Sequence, residues 1–140
     1  MTAVIDARIL YALVDNADSI HDRAVAAVQG ETEAIIVPQA ILPEICYLIA
    51  SRLGAAQEAA FIRYLADSDW RLEALNAQDV SRVIALMSEH GTAGIGFVHA
   101  AVAAVAERMG ATRIYTLNRR HFEAIRPSHV SRFELLPDPD

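Results

Sequence analysis

The chain is poor in cysteine, aromatic residues and positive charge. Its one cysteine, Cys46, excludes an internal disulfide and gives no sign of an oxidising compartment. Aromatic residues make up only 6% of the sequence while alanine is plentiful, so we expect more helix than strand. With 12 basic and 18 acidic residues, the formal net charge of −6 argues against broad non-specific nucleic-acid binding, but it leaves room for a local basic patch.

The motifs of several common enzyme classes are also missing. The sequence has no phosphate-binding P-loop, no dinucleotide-binding glycine pattern after the first apolar run and no nucleophile elbow. No cysteine and histidine cluster has the spacing of a zinc site. Apolar runs are too short to span a bilayer, and the N-terminus lacks the features of a signal peptide. We therefore expect a soluble, cytoplasmic protein without a membrane partner.

What remains indicates one compact α/β domain. The hydrophobic content of 54% and the length of 140 residues are enough for a real core, and we predict a single domain over residues 1–140. Short apolar runs predict strands at residues 4–5, 34–37, 70–75, 113–117 and 133–136. Helical periods lie between them, at about 7–14, 19–29, 39–53, 55–66, 79–89, 97–109 and 118–122. This alternation is typical of a parallel sheet covered by helices.

The stretch Thr2–Leu13, TAVIDARILYAL, organises the rest of the chain. Its apolar run ends on an acid, Asp6, and a helical pattern starts at once. This arrangement places a carboxylate at the carboxyl end of a central strand, the edge where open parallel sheets bind ligands. Aspartate is also a preferred helix N-cap. The stretch alone therefore leaves two roles open for Asp6, a functional one and a purely capping one.

Four segments, in order and covering nearly the whole chain, together resemble one known family. They are VIDARILYAL, VPQAILPEICYLI around Glu44, GFVHAAVAAVAERMGATRIYTLNRRHF and RPSHVSRFELLP. Each segment is weak alone, but the set is similar to the PIN domain family, and within it to the VapC-type toxins of bacterial toxin–antitoxin pairs. The resemblance implies a three-layer α/β/α fold around a parallel sheet of about five strands in the order 3-2-1-4-5.

The resemblance also implies a site and a chemistry. Members of the family hold Mg²⁺ or Mn²⁺ on a cluster of acids and hydrolyse RNA, since hard divalent ions prefer carboxylate oxygens. The positions that correspond to the catalytic and metal-binding acids are Asp6, Glu44, His99 and Asn118. Only Asp6 and Glu44 match as acids. His99 stands where the family has aspartate in GFVDA, and Asn118 where it has aspartate in TLDRRHF.

These departures change the charge of the expected site. Its negative charges fall from about four to two, and histidine is a poor ligand for Mg²⁺ although it accepts Mn²⁺ or Zn²⁺. Arg8 replaces a small polar residue two places after Asp6. We expect that its guanidinium could pair with Asp6 or Glu44 and take the place of the metal.

Three further residues are candidates for substrate binding. Arg119 and Arg120 follow Asn118 directly, and they would either position a phosphate of RNA, remain solvated or hold the following loop. Thr116, just before the site, could orient a water molecule or a phosphate.

The functional expectation is a metal-dependent endoribonuclease toxin with weakened or lost activity. The alternative is an inactive PIN domain that binds RNA or an antitoxin as a dimer. In that case the helical hairpin at about 39–66 would grip an amphipathic helix of the antitoxin in an apolar groove. The family's habit also implies a homodimer, bound to its cognate antitoxin when one is present.

Overall fold

The computed structural model describes residues 2–139, apart from the side chain of Thr92. A five-stranded parallel sheet forms its centre, with the order β3-β2-β1-β4-β5. Its strands are β1 (Thr2–Ile5), β2 (Ala34–Pro38), β3 (Arg71–Glu73), β4 (Arg113–Tyr115) and β5 (Glu134–Leu136). The helices are α1 (Ala7–Val14), α2 (His21–Gln29), α3 (Leu42–Leu53), α4 (Ala55–Asp67), α5 (Ala77–His90), α6 (Phe97–Arg108) and α7 (Arg119–Ala124). The fold class and the sheet order predicted from the resemblance are confirmed.

The helices form two layers, one on each face of the sheet. Helix α1 packs on α2 and α3, and α3 packs on α4, while α6 packs on α5 and α7. Parallel crossovers are right-handed, so the path from β1 through β2 to β3 puts α1–α4 on one face. The chain then returns across the sheet to β4, which puts α5–α7 on the other face. Successive strands are added in one direction across the sheet from β1 to β3, and in the opposite direction from β4 to β5. The boundary between β1 and β4 is therefore the switch point where ligands bind in such sheets.

The longest runs of buried residues begin in β1 and in α6. Ala3, Val4 and Ile5 are fully buried in β1, and every residue from Ala100 to Ala106 of α6 is buried. Small side chains on α6 let its backbone lie close to the sheet. The helix is also apolar on every side over this stretch, and such a helix has to be buried on every side. The position of α6, and therefore of His99 in its first turn, is fixed by this packing.

Several element boundaries differ from the predicted ones. The helix expected at 39–53 begins with a separate 3₁₀ turn, Gln39–Ile41. Helix α5 begins two residues before Asp79, because the side chains of Asn76 and Asp79 each accept a hydrogen bond from the other's backbone N–H. This reciprocal capping box fixes where a helix starts. The strand expected at 70–75 is shortened to three residues, and it lies at the sheet edge as predicted.

Across residues 2–139, every helix falls short of the length and apolar character needed to cross a bilayer.

Candidate functional site

Asp6 lies at the switch point and serves as the N-cap of α1. Its backbone N–H donates to the carbonyl of Tyr115 at 2.9 Å, which joins the ends of β1 and β4. Its carboxylate Oδ1 accepts from the backbone N–H of Ala7 at 2.8 Å, and the residue is only 2% exposed. The two roles left open by the sequence therefore coincide, because the capping carboxylate also occupies the ligand-binding edge of the sheet.

The second carboxylate oxygen of Asp6 is held by the residues that follow β4. The hydroxyl of Thr116 donates to Oδ2 at 2.9 Å, and the side-chain amide of Asn118 donates to the same oxygen at 3.4 Å. Thr116 is fully buried, and its Oγ1 also accepts from the backbone N–H of Asn118 at 2.9 Å. Both oxygens of this buried carboxylate are thus satisfied from within the protein, as buried charges require. These contacts make Thr116 a positioning residue for Asp6, and its hydroxyl is enclosed within the protein.

Glu44 faces the same edge from the first turn of α3. The pKa of its carboxyl is raised, first by loss of hydration and then by the negative charge of Asp6. Neighbouring carboxylates disfavour each other's ionised form in this way. The two acids that match the resemblance are therefore close enough to interact, although the Glu44 side chain is exposed.

Two imidazole rings fill the α6 and α7 side of the site. The rings of His99 and His121 lie with centroids 4.7 Å apart and planes tilted by 39°, and Phe122 contacts His99 edge-on with centroids 5.6 Å apart. Nδ1 of His121 is buried without a hydrogen-bond partner among the described residues. The pKa of His121 is lowered by burial, His99 and Arg120, against an opposing effect of Asp6. Sequence reasoning missed His121 as a site residue, although it stands three places after Asn118, one helical turn away.

The three candidate arginines have different surroundings. Arg8 pairs with Asp18, with Nη1 2.8 Å from Oδ2, so the expectation that it would pair with Asp6 or Glu44 is wrong. The loop after α1 brings Asp18 back beside the start of that helix, and its carboxylate reaches Arg8 first. Arg119 donates through Nη1 to the carbonyls of Leu135 at 2.9 Å and Pro137 at 3.2 Å, so it holds the chain around β5.

Arg120 is exposed, and within residues 2–139 its guanidinium has no hydrogen-bond or ion-pair partner. Of the two adjacent arginines, Arg119 is held by backbone carbonyls, whereas Arg120 has the guanidinium that the described residues leave unpaired.

The structure gathers the four predicted metal-site residues at one edge but does not join them into a set of ligands. Within residues 2–139, no three acidic, histidine or cysteine side chains could hold a metal ion together. The Asp6 oxygens already accept three protein hydrogen bonds. The other groups that could ligate a metal are one carboxylate, an amide and imidazoles. Mg²⁺ requires octahedral oxygen coordination at about 2.1 Å. This donor set does not fit a Mg²⁺ site.

Comparison with known proteins gives consistent matches over nearly the whole chain. The PIN domain family matches residues 3–126. Ribonuclease VapC26 of Mycobacterium tuberculosis is 31% identical over 134 residues, which cover 96% of this chain and 99% of that protein.

Solved structures share the fold at lower identity. The crystal structure of M. tuberculosis VapC20, a sarcin–ricin loop cleaving toxin, has a TM-score of 0.77 at 18% identity and covers 85% of this chain and 92% of its own. VapBC2 of Rickettsia felis, bound to a DNA fragment from its promoter, has a TM-score of 0.72 at 16% identity and covers 98% of this chain and 100% of its own. A toxin–antitoxin complex from Klebsiella pneumoniae has a TM-score of 0.71 at 17% identity and covers 96% of each chain.

Proposed function

This chain is a member of the PIN domain family, and from that premise we propose that it is the RNA-directed toxin of a toxin–antitoxin pair, with a ribonuclease activity that is weakened because its site does not fit Mg²⁺. The observation that supports the proposal best is the pair of acids at the switch point, Asp6 and Glu44. Their position suits phosphodiester chemistry, because a substrate bound at this edge meets the ends of β1 and β4 at once.

The weakening is inferred from what surrounds Asp6. Relatives are expected to offer aspartates at the positions of His99 and Asn118, and this chain offers an imidazole and a hydrogen-bond donor instead. Removing a single electrostatic group from an active site typically costs about 10²–10³ in rate. Loss of two such charges should therefore leave cleavage several orders of magnitude below that of an intact site.

In this proposal the chain's own residues bind and orient the RNA. Arg120 contacts a phosphate from the first turn of α7, while Thr116 holds the carboxylate of Asp6 in place. Arg119 acts indirectly, because it fixes the chain around β5 and with it the start of α7.

Glu44→Gln gives the direct test of residual cleavage. The Glu44 side chain is exposed, so the substitution should leave the free energy of unfolding unchanged within about 0.5 kcal/mol. We expect cleavage of single-stranded RNA in Mg²⁺ or Mn²⁺ to fall about 100-fold, since one of two remaining charges is lost. Equal cleavage by both proteins would exclude Glu44 from the site. A wild-type chain without any cleavage would favour the alternative function, RNA or antitoxin binding alone.

An apolar groove in the layer of helices α1–α4 supports an antitoxin partner, and with it the alternative function of antitoxin binding. It has a volume of about 420 Å³ and lies between α1, α2 and α4, with Leu13, Val28, Phe61, Tyr64 and Trp70 among its walls. Such a groove fits the apolar face of an amphipathic helix. The hairpin expected at 39–66 contributes only its second helix, because α3 packs against α1. We assign the groove to the antitoxin and retain the prediction of a homodimer.

Two exposed tyrosines allow a matched test of this groove. Tyr64 is 60% exposed at the groove, where its ring meets Trp70 edge-on at 6.5 Å, whereas Tyr47 is 72% exposed on α3 outside it. Tyr64→Ala should weaken binding of the cognate antitoxin at least about fivefold, because truncation of an aromatic anchor costs more than about 1 kcal/mol. Tyr47→Ala should bind normally in the same titration calorimetry. Equal affinities for the two variants would remove the groove from the interface.

A further inference from the structure

The surroundings of Asp6 indicate how this site could work without a cation. Ala7, Thr116 and Asn118 direct three hydrogen-bond donors at its carboxylate. A divalent cation would have to displace a donor from Oδ2 before it could bind that oxygen, because the hydroxyl and the amide occupy both of its lone pairs. Asparagine at position 118 can donate to the Asp6 carboxylate and an ionised aspartate there could not, since only the amide has N–H groups.

Histidine at position 99 and asparagine at position 118, where the family has aspartates, make the edge of the sheet less negative. Two carboxylates remain, and the negative charge of Asp6 is satisfied by its donors. His99 and His121 stand on one side, and the exposed Arg120 guanidinium is unpaired within the described part of the chain. Gly94 turns the loop before α6 with a φ of +77° that suits glycine, and a Cβ there would lie in ordinary van der Waals contact with Nε2 of His121, at 3.7 Å. The edge has therefore exchanged two carboxylates for an imidazole and a neutral amide, next to an arginine that follows them in the sequence.

We propose that this edge binds an RNA phosphate directly, through Arg120, and that Asn118 replaces the divalent cation on Asp6. The inference rests on the proposed function for its ligand, RNA, and adds the way in which that ligand is held. A guanidinium binds phosphate by charge-assisted hydrogen bonds and needs no bridging ion. RNA binding is then independent of divalent cations, in contrast to a site built from four acids.

Fluorescence anisotropy with a short labelled single-stranded RNA, in EDTA and in Mg²⁺, tests the phosphate contact. The wild-type chain should bind with the same Kd in both, within about twofold. Arg120→Ala should raise the Kd about 10- to 100-fold in either buffer, the usual cost of a lost hydrogen bond to a charged group. Arg63→Ala, at an exposed arginine on α4, is the matched control and should bind as the wild type does. Wild-type binding that requires Mg²⁺ would overturn the proposal.

Electron paramagnetic resonance of added Mn²⁺ tests the role of Asn118 without RNA. The wild-type chain should show no stoichiometric Mn²⁺ binding at the site, and Mn²⁺ should leave its Tm unchanged. Asn118→Asp places two carboxylates face to face, so we expect a lower Tm in EDTA and a recovery with Mn²⁺. Asn118→Ala removes the same donor without adding charge, and its Tm should not respond to Mn²⁺.

Each arm can fail separately. Stoichiometric Mn²⁺ on the wild-type chain would refute the replacement of the cation by Asn118. If the wild-type chain bound no RNA in either buffer, the proposed function would fail, and with it the phosphate contact. The Mn²⁺ result would still decide whether Asn118 stands in for a cation.

Discussion

Replacing both His99 and Asn118 by aspartate is expected to raise metal-dependent RNA cleavage about 1000-fold over the wild-type chain. The change restores two carboxylates at one edge of the sheet and removes the amide that donates to Asp6. Four facing acids repel one another without a cation, and Mg²⁺ prefers such a set of oxygen ligands. Cleavage of a labelled single-stranded RNA in Mg²⁺ and in Mn²⁺, measured for both proteins, is the test.

The backbone around both positions is already fixed. The buried residues from Ala100 to Ala106 hold α6, and the end of β4 is bound to β1 and β5 through the backbone bonds of Asp6 and Thr116. The new aspartates would therefore be placed by the existing fold.

Single variants and a third substitution serve as controls. Each single aspartate should give less than the double variant, since groups that act on one ion are not additive. Adding Glu44→Gln to the double variant should remove most of the gain. A double variant that cleaves no faster than the wild type would place the fault elsewhere, for example in Arg8, which replaces a small polar residue.

Glu31→Ala is expected to destabilise the fold by about 3–5 kcal/mol, the usual cost of leaving one partner of a buried ion pair alone. The Glu31 side chain is 1% exposed and accepts hydrogen bonds from Arg113 at 2.9 and 2.6 Å and from Tyr115 at 2.7 Å. Its removal leaves the guanidinium without its acceptor and the phenol with only the carbonyl of Ala27, at 3.4 Å. Urea denaturation at neutral pH would measure the loss.

The same residue makes stability depend on pH. The bonds from Arg113 hold the pKa of Glu31 at about 2, against an ordinary value of 4.5. A carboxyl with a lowered pKa stabilises the fold above its ordinary value, by about 3 kcal/mol here, and this contribution disappears as the pH falls through the folded value. The wild type and Glu31→Ala should therefore converge in free energy of unfolding between about pH 5 and pH 2.

Glu123→Ala is the control for an ion pair that matters little. Glu123 is 61% exposed and lies 3.7 Å from Arg119, so its loss should cost less than about 0.5 kcal/mol at any pH. If Glu31→Ala cost no more than this control at neutral pH, the buried pair would contribute nothing net to stability.

Local patterns were enough to predict the order of the elements, but not all of their ends. Period and composition placed five strands and seven helices in the right order, and the resemblance supplied the sheet order that short-range patterns cannot give. The start of α5 was placed late although the sequence carried its signal. Asn76 and Asp79 have the spacing of a capping box, which starts the helix two residues earlier than the hydrophobic period alone suggests.

The site was harder to predict than the fold, because its contacts join distant parts of the chain. The position of Asp6 followed from the end of an apolar run, but its bond to Thr116 spans 110 residues. Arg8 was paired with the wrong acid because a loop, not a periodic element, brings Asp18 to it. The bonds of Arg119 go to backbone carbonyls, and since every residue has a carbonyl, no pattern in the sequence marks them.

The burial of α6 has an evolutionary consequence. A codon for aspartate becomes one for histidine or for asparagine by a single base change, and either change can be reversed by another. Because the seven buried residues of α6 keep position 99 in place whichever side chain it carries, the changes at the site leave its support intact. Two base changes would therefore exchange the side chains at positions 99 and 118 on a support that stays the same.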